Sequence, residues 1–205
     1  MVSLREEILG APSVEPAFRL LLPEGWTSHP ISEDTAASFE QRASDVFRRA
    51  GRPDLDGAFA SILRRSMRDL ARAGADYVIL PPASEERGSA PVSLIVSVIT
   101  GQNGQPLDAW VAQRFREGAQ MLDDSGRIVT WRSRKPGSEA GVEQFQSNFL
   151  LPVPETDRKK GLLLTGTVLI EEGASEDSDA VVASSAAFAA IASTVSWVTP
   201  ADIAS

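Results

Sequence analysis

The sequence predicts an α+β fold: an antiparallel sheet with helices on both faces, an α/β/α sandwich, interrupted by a helical hairpin. Three features predict it. The run Val92-Ser-Leu-Ile-Val-Ser-Val-Ile-Thr100 is β-branched and apolar almost throughout, between Pro91 and the turn signal Gly101-Gln-Asn-Gly104. Alternation puts Val92, Leu94, Val96 and Val98 on one face and Ser93, Ile95, Ser97 and Ile99 on the other. Neither face suits water, so the run reads as an inner strand covered on both sides. Three strand candidates, Arg127–Arg134, Val142–Leu151 and Gly161–Ile170, follow one another across short polar turns, as in an antiparallel meander. Residues 33–73 carry helical periodicity instead, in two halves separated by Gly51-Arg-Pro53.

Taken in order, residues 3–10 form a short helix with Ser3 and Glu6 as a capping box. Phe18–Leu22 is a strand, Pro23-Glu-Gly-Trp26 a turn, and Thr27 to Ile31 the return strand of a hairpin. Ser32 caps a helix over 33–50, with Ala36, Phe39, Ala43, Val46 and Phe47 at three- and four-residue steps. A second helix, Asp54 to Ala73, has Leu55, Phe59, Ile62, Leu63, Ser66 and Leu70 on one arc. The short connection makes the two antiparallel neighbours. Tyr77–Leu80 is a strand, and 81–91 a polar loop. Pro106 opens a third helix to Leu122, with Leu107, Trp110, Val111, Phe115 and Leu122 in its apolar arc and Gly118 among them for close approach to a sheet. In the middle strand of the meander, Phe145, Phe149 and Leu151 face one way, Gln144, Gln146 and Asn148 the other. An acidic loop, Glu171 to Asp179, leads to a last helix from Ala180 to Trp197.

Composition narrows the function classes. At 205 residues the chain suits one domain, 1–205, with 33–73 as the inserted hairpin. A net charge of −8 disfavours nucleic acid and anionic membranes as partners. With no cysteine there is no disulfide, thiolate metal site or cysteine nucleophile. The first ten residues carry no apolar signal core and no stretch has the length a bilayer needs, so the expected location is the cytoplasm. No cofactor motif is present: G-x-x-x-x-G-K-[ST], G-x-G-x-x-G and G-x-S-x-G are all missing.

Two segments carry a family resemblance. Phe18-Arg-Leu-Leu-Leu-Pro-Glu-Gly-Trp26 is an apolar strand ending in Pro-x-Gly-Trp, and the closing helix holds Phe188, Ile191, Thr194 and Trp197 after a long apolar strand. With the order of elements, they resemble the PsbP-like α/β/α sandwich superfamily. That group includes an extrinsic photosystem subunit, a nuclear import factor that binds Ran, and bacterial lipoproteins. The resemblance implies a protein that binds or assembles others, and it carries over no catalytic residue. The chain departs from the pattern in its larger helix pair and in having no lipobox.

The leading expectation is therefore a non-enzymatic, cytoplasmic binding, adaptor or assembly protein. The alternative is a hydrolase or small-ligand enzyme with a pocket near Arg114 or His29. His29 is the chain's only histidine, so any Ser-His-Asp triad would have to use it. Arg114 falls in an apolar helical arc, where it marks either the polar floor of a pocket or a helix margin whose stem lies on the sheet. The run Glu171–Asp179 has oxygen ligands without the spacing of a calcium loop.

The partner-binding candidates are Arg64, Arg65, Arg68 and Arg72, on one arc of about 100° opposite Leu55, Phe59, Ile62 and Leu70. Such a stripe is either a solvated face screened by acids such as Glu40, Asp45 and Asp69, or a surface that meets an acidic surface of another protein. In the last helix Ile191 and Val198 lie to one side of the Phe188 arc and Trp197 opposite it, so either another part of the chain, such as residues 3–10, or a second copy in a weak homodimer is expected to cover it.

Overall fold

The computed structural model describes residues 16–49, 51–52, 54, 56–82, 91–137 and 141–198. Along the chain the elements are β1 (Ala17–Arg19), β2 (Thr27–Pro30), α1 (Glu33–Arg49), α2 (Asp56–Arg72), β3 (Ala75–Leu80) and β4 (Val92–Thr100). They continue with α3 (Asp108–Arg116), β5 (Gln120–Met121), β6 (Val129–Pro136), β7 (Val142–Pro152), β8 (Lys160–Glu171), α4 (Asp179–Ser193) and β9 (Ser196–Val198). The predicted α+β class holds. Seven strands form one antiparallel sheet in the order β2-β3-β4-β8-β7-β6-β5, with β4 near its centre.

The two faces are covered differently. Leu94, Val96, Phe145, Phe149, Leu162, Leu164 and Val168 share one face, and α4 lays Val181, Phe188, Ile191 and Ala192 upon them. Fully burying each of the larger side chains stabilises the fold by about 1.5–3 kcal/mol. The opposite face is covered only at its flanks. The α1–α2 hairpin lies by β2 and β3, where Phe39 meets the His29 ring 4.9 Å away. At the other end α3 packs Trp110 and Val111 against Ile99, Trp131, Leu150 and Leu163.

Local chemistry sets the helix ends. Ser32 Oγ accepts the Thr35 amide at 3.1 Å, the expected cap of α1. After α3, Gly118 takes φ +98°, the Ala119 amide reaches back to the Arg114 carbonyl at 2.9 Å, and the Gly118 amide to that of Phe115 at 3.2 Å. This paired closure needs a residue that tolerates positive φ. Gly118 therefore ends the helix rather than lying on its packed arc, and α3 stops at Arg116 instead of Leu122.

Other expectations change for tertiary reasons. The predicted hairpin of 18–22 with 27–31 does not form. β1 pairs with β9 in a separate two-stranded sheet, and β2 pairs with β3. The last helix ends at Ser193, and Trp197 lies in β9 opposite Phe18, rings 6.3 Å apart. The residues that suggested a second copy are thus largely covered within the chain, Ile191 at 1 % and Val198 at 7 % exposure. In α2 the arc expected to be buried leaves Ile62 57 % and Phe59 37 % exposed, because the hairpin sits beside the sheet. The expected helix at 3–10, Leu55, and most of the 81–91 loop lie outside the described residues. Among the described residues no helix is long and apolar enough to cross a membrane.

Candidate functional site

Register fixes what the half-covered face presents. One row across the sheet reads Trp131, Asn148, Thr165, Ile95, Val78 and His29. The next reads Ser133, Gln146, Thr167 and Ser93, and a third begins Lys135, Gln144 and Leu169. On β4, β7 and β8 these residues alternate with the core side chains Leu94, Val96, Phe145, Phe149, Leu164 and Val168, so this face is the back of the apolar core. Walls rise at two sides. Ser66, Asp69 and Leu70 of α2 with Ala73 just beyond it border one side, and Arg114 of α3 with Glu117 just beyond it border the other.

The result is a groove of two joined depressions, about 680 Å3 against α2 and about 500 Å3 against α3. They share Lys135, Gln146, Leu163 and Thr165. These volumes fall in the range of ligand sites, and the lining mixes apolar surface with a few polar groups. The polar groups of the floor are tied to one another. Thr165 Oγ1 donates to Asn148 Oδ1 at 3.0 Å, Asn148 Nδ2 to the Trp131 carbonyl at 3.4 Å, and Ser133 Oγ to Gln146 Oε1 at 3.4 Å. Asn148 is only 6 % exposed, so these bonds set its orientation.

At the α3 end the groove is cationic. The Arg114 guanidinium lies 5.0 Å from the Trp110 ring centroid and 5.8 Å from that of Trp131, and the two indoles meet edge to face at 5.5 Å. Its Nη1 donates to Glu117 Oε2 at 2.6 Å, while its buried Nε has no acceptor among the described residues. Lys135 completes the lining, so two cations face one carboxylate in a chain whose net charge is −8, while Arg132 turns to the other face of the sheet, 6.0 Å from the Phe145 ring. Arg114 takes the helix-margin position of the two expected for it, its stem against aromatic rings, and borders the depression.

His29 is placed elsewhere. Its Nε2 is 2.9 Å from Thr27 Oγ1 and its ring packs on Phe39 at the β2 edge, so the structure does not bring it to Arg114. The arginine stripe on α2 is partly engaged. Arg64 grips Glu40 through Nε and Nη2, both at 2.6 Å, and this pair holds the Glu40 carboxyl below its usual range and the guanidinium above its own. Arg68 Nε donates to the Arg64 carbonyl at 3.2 Å, and Arg72 lies 3.8 Å from Asp69. Arg65 is exposed. Of the screening acids foreseen, Asp45 pairs with Arg48 instead. At the acidic loop, Arg134 donates to the Ala174 carbonyl, and among the described residues no cluster of acids or histidine is arranged to hold a metal.

Sequence reasoning missed the groove as a site. Its signal was present in the alternation of Gln144, Gln146 and Asn148 against Phe145, Phe149 and Leu151. What the pattern could not give was that helices would cover only the margins of that polar face.

Comparison with known proteins adds little. No family model matches the chain, and no curated protein matches it. A solved structure from Bacteroides thetaiotaomicron VPI-5482 superposes with a TM-score of 0.42 at 10 % identity, covering 90 % of this chain and 46 % of its own. The chain thus spans less than half the length of that protein, and the likeness carries no functional argument.

Proposed function

We propose that this chain is a non-enzymatic binding protein, an adaptor or assembly factor, that holds an acidic segment of a partner protein in the groove on its half-covered sheet face. The observation that carries the reading is the floor of amides and hydroxyls left open between α2 and α3, with Lys135 and Arg114 at one end. Amide and hydroxyl rows suit the hydrogen bonds of an extended chain, and the cations select negative charge against the protein's own net field. The PsbP-like resemblance, whose members mainly bind and assemble, supports the same reading, as does the position of His29 away from the groove. The cytoplasm is the compartment this proposal assumes. The stripe of Arg64, Arg65, Arg68 and Arg72 is a second surface of the same charge, and Arg64 is already committed to Glu40.

A labelled peptide tests it. Six extended residues span about 20 Å, and the four strands from β6 to β4 cover about 14 Å at the usual spacing. Fluorescein-labelled, C-terminally amidated hexaglutamate should bind in an anisotropy titration, weakening with salt, and hexaglutamine should bind far less. Thr167→Trp, which fills the groove from β8, should abolish binding without moving the urea midpoint. Equal binding of both peptides, or a folded Thr167→Trp variant that binds as well as the wild type, would overturn the proposal.

A further inference from the structure

We infer that the α3 end of the groove is a carboxylate subsite, in which Arg114 receives an acidic side chain of the bound segment. The inference rests on the reading of the groove as a binding surface.

Three observations carry it. The first is the state of the guanidinium. Glu117 takes Nη1, leaving the edge that carries Nε, and that Nε is buried with no acceptor among the described residues. A covered donor without a partner is costly, so a small turn of the guanidinium that presents its Nε edge to an acceptor in the groove is favoured. The second is the fit of that edge to one chemistry. Elsewhere in the same chain, Arg64 uses Nε and Nη2 to grip both oxygens of Glu40 at 2.6 Å. This two-point geometry matches a planar carboxylate and no neutral side chain equally well. The third is restraint. Trp110 and Trp131 flank the guanidinium, and Glu117 anchors it from the opposite edge. An arginine already held in place loses little side-chain freedom when a ligand arrives. Lys135, which lines both depressions and has no partner among the described residues, supplies a second charge for the next acidic residue.

In this arrangement Arg114 provides geometry as well as charge. Lysine at the position keeps the charge and loses the fork, so Arg114→Lys separates the two. In the hexaglutamate titration, Arg114→Lys should weaken binding about tenfold, the scale of a lost charge-assisted hydrogen bond, with the urea midpoint unchanged. Lys135→Ala should weaken it by a smaller factor and flatten the salt dependence. Trp fluorescence gives an independent reading: hexaglutamate should perturb the emission of the wild type and not that of a variant carrying both Trp110→Phe and Trp131→Phe. Should hexaglutamate bind, Thr167→Trp abolish it, and Arg114→Lys and Arg114→Gln leave it unchanged, the groove reading stands and the subsite falls. Indifference of the wild type to hexaglutamate would remove both.

Discussion

The Phe188 ring of α4 rests directly on Gly166 of β8. A Cβ built on Gly166 would lie 2.2 Å from Phe188 Cδ2 and 2.4 Å from Cγ. Glycine is present there for clearance, since β8 is flanked by fully buried Leu164 and Val168 on the same face. Gly166→Ala must push α4 off the sheet or twist Phe188 from its rotamer, at about 1–3 kcal/mol. The expected result is a lower urea midpoint with unchanged slope. Phe188→Leu should cost stability alone yet partly relieve Gly166→Ala, and strict additivity in the double mutant would show the two are uncoupled.

Much of this architecture was legible in the chain. Residues 92–100 form the strand foreseen, with the foreseen division of faces, because β-branched runs between Pro and Gly leave few alternatives; only the Leu94–Val96 face is covered by a helix, and Ser93, Ile95 and Ser97 line the groove instead of being covered as expected. Ser32 and Gly51 mark the ends of α1 for reasons of capping chemistry that act within a few residues. What failed was long-range. Phe18 pairs with Trp197 from the far end of the chain, and a local turn signal at Pro23-Glu-Gly-Trp26 cannot reveal that competitor. The groove was hidden for a similar reason. The sequence shows that β7 has a polar face, but how far the hairpin and α3 stand apart over it is a property of tertiary packing.

Trp26 packs edge to face on the same Phe188, ring centroids 6.3 Å apart, so it closes the core at the start of β2. The indole is half-buried, which places Trp26→Ala at the low end of the usual range, about 3 kcal/mol. Equilibrium unfolding should show the loss. An unchanged midpoint would mean that the Phe188 cluster is stable without its outer ring.

The turn joining β7 to β8 carries backbone strain. Asp157 and Arg158 both take positive φ, 50° and 59°, and the Lys159 amide closes on the Thr156 carbonyl at 2.9 Å. This is the hairpin turn that favours Asp-Gly or Asn-Gly. An arginine in the left-handed region costs about 1–2 kcal/mol. Its compensation is an ion pair with Asp108 at 3.2 Å, with Arg158 72 % exposed, and exposed pairs contribute about 0–1 kcal/mol. Arg158→Gly should therefore raise the melting temperature slightly. A fall would show that the link to the first turn of α3 outweighs the strain.

The Arg64–Glu40 pair determines how the helical hairpin responds to pH and to charge reversal. Glu40 is held below the usual carboxylate range, first by its hydrogen bond to Arg64 and further by the neighbouring charge. A carboxylate whose folded pKa is depressed adds stability that is complete above its ordinary pKa and is lost as pH falls through the lowered one. The stability difference between wild type and Glu40→Gln should accordingly be present at neutral pH and vanish as the solution is acidified through that window. A difference constant down to strongly acidic pH would mean that shape, not charge, matters at this position. The same pair separates the members of the stripe. Arg64→Glu sets two carboxylates against each other across the α1–α2 interface and should lower the hairpin's stability, read as faster amide exchange in α1 and α2. Arg65→Glu, on the exposed side of α2, should leave exchange unchanged. If the stripe of Arg64, Arg65, Arg68 and Arg72 also meets an acidic partner, Arg65→Glu is the variant that would reveal it, because it reverses a charge without disturbing the hairpin. Equal exchange in both variants would show that the Glu40 contact does not hold the two helices together.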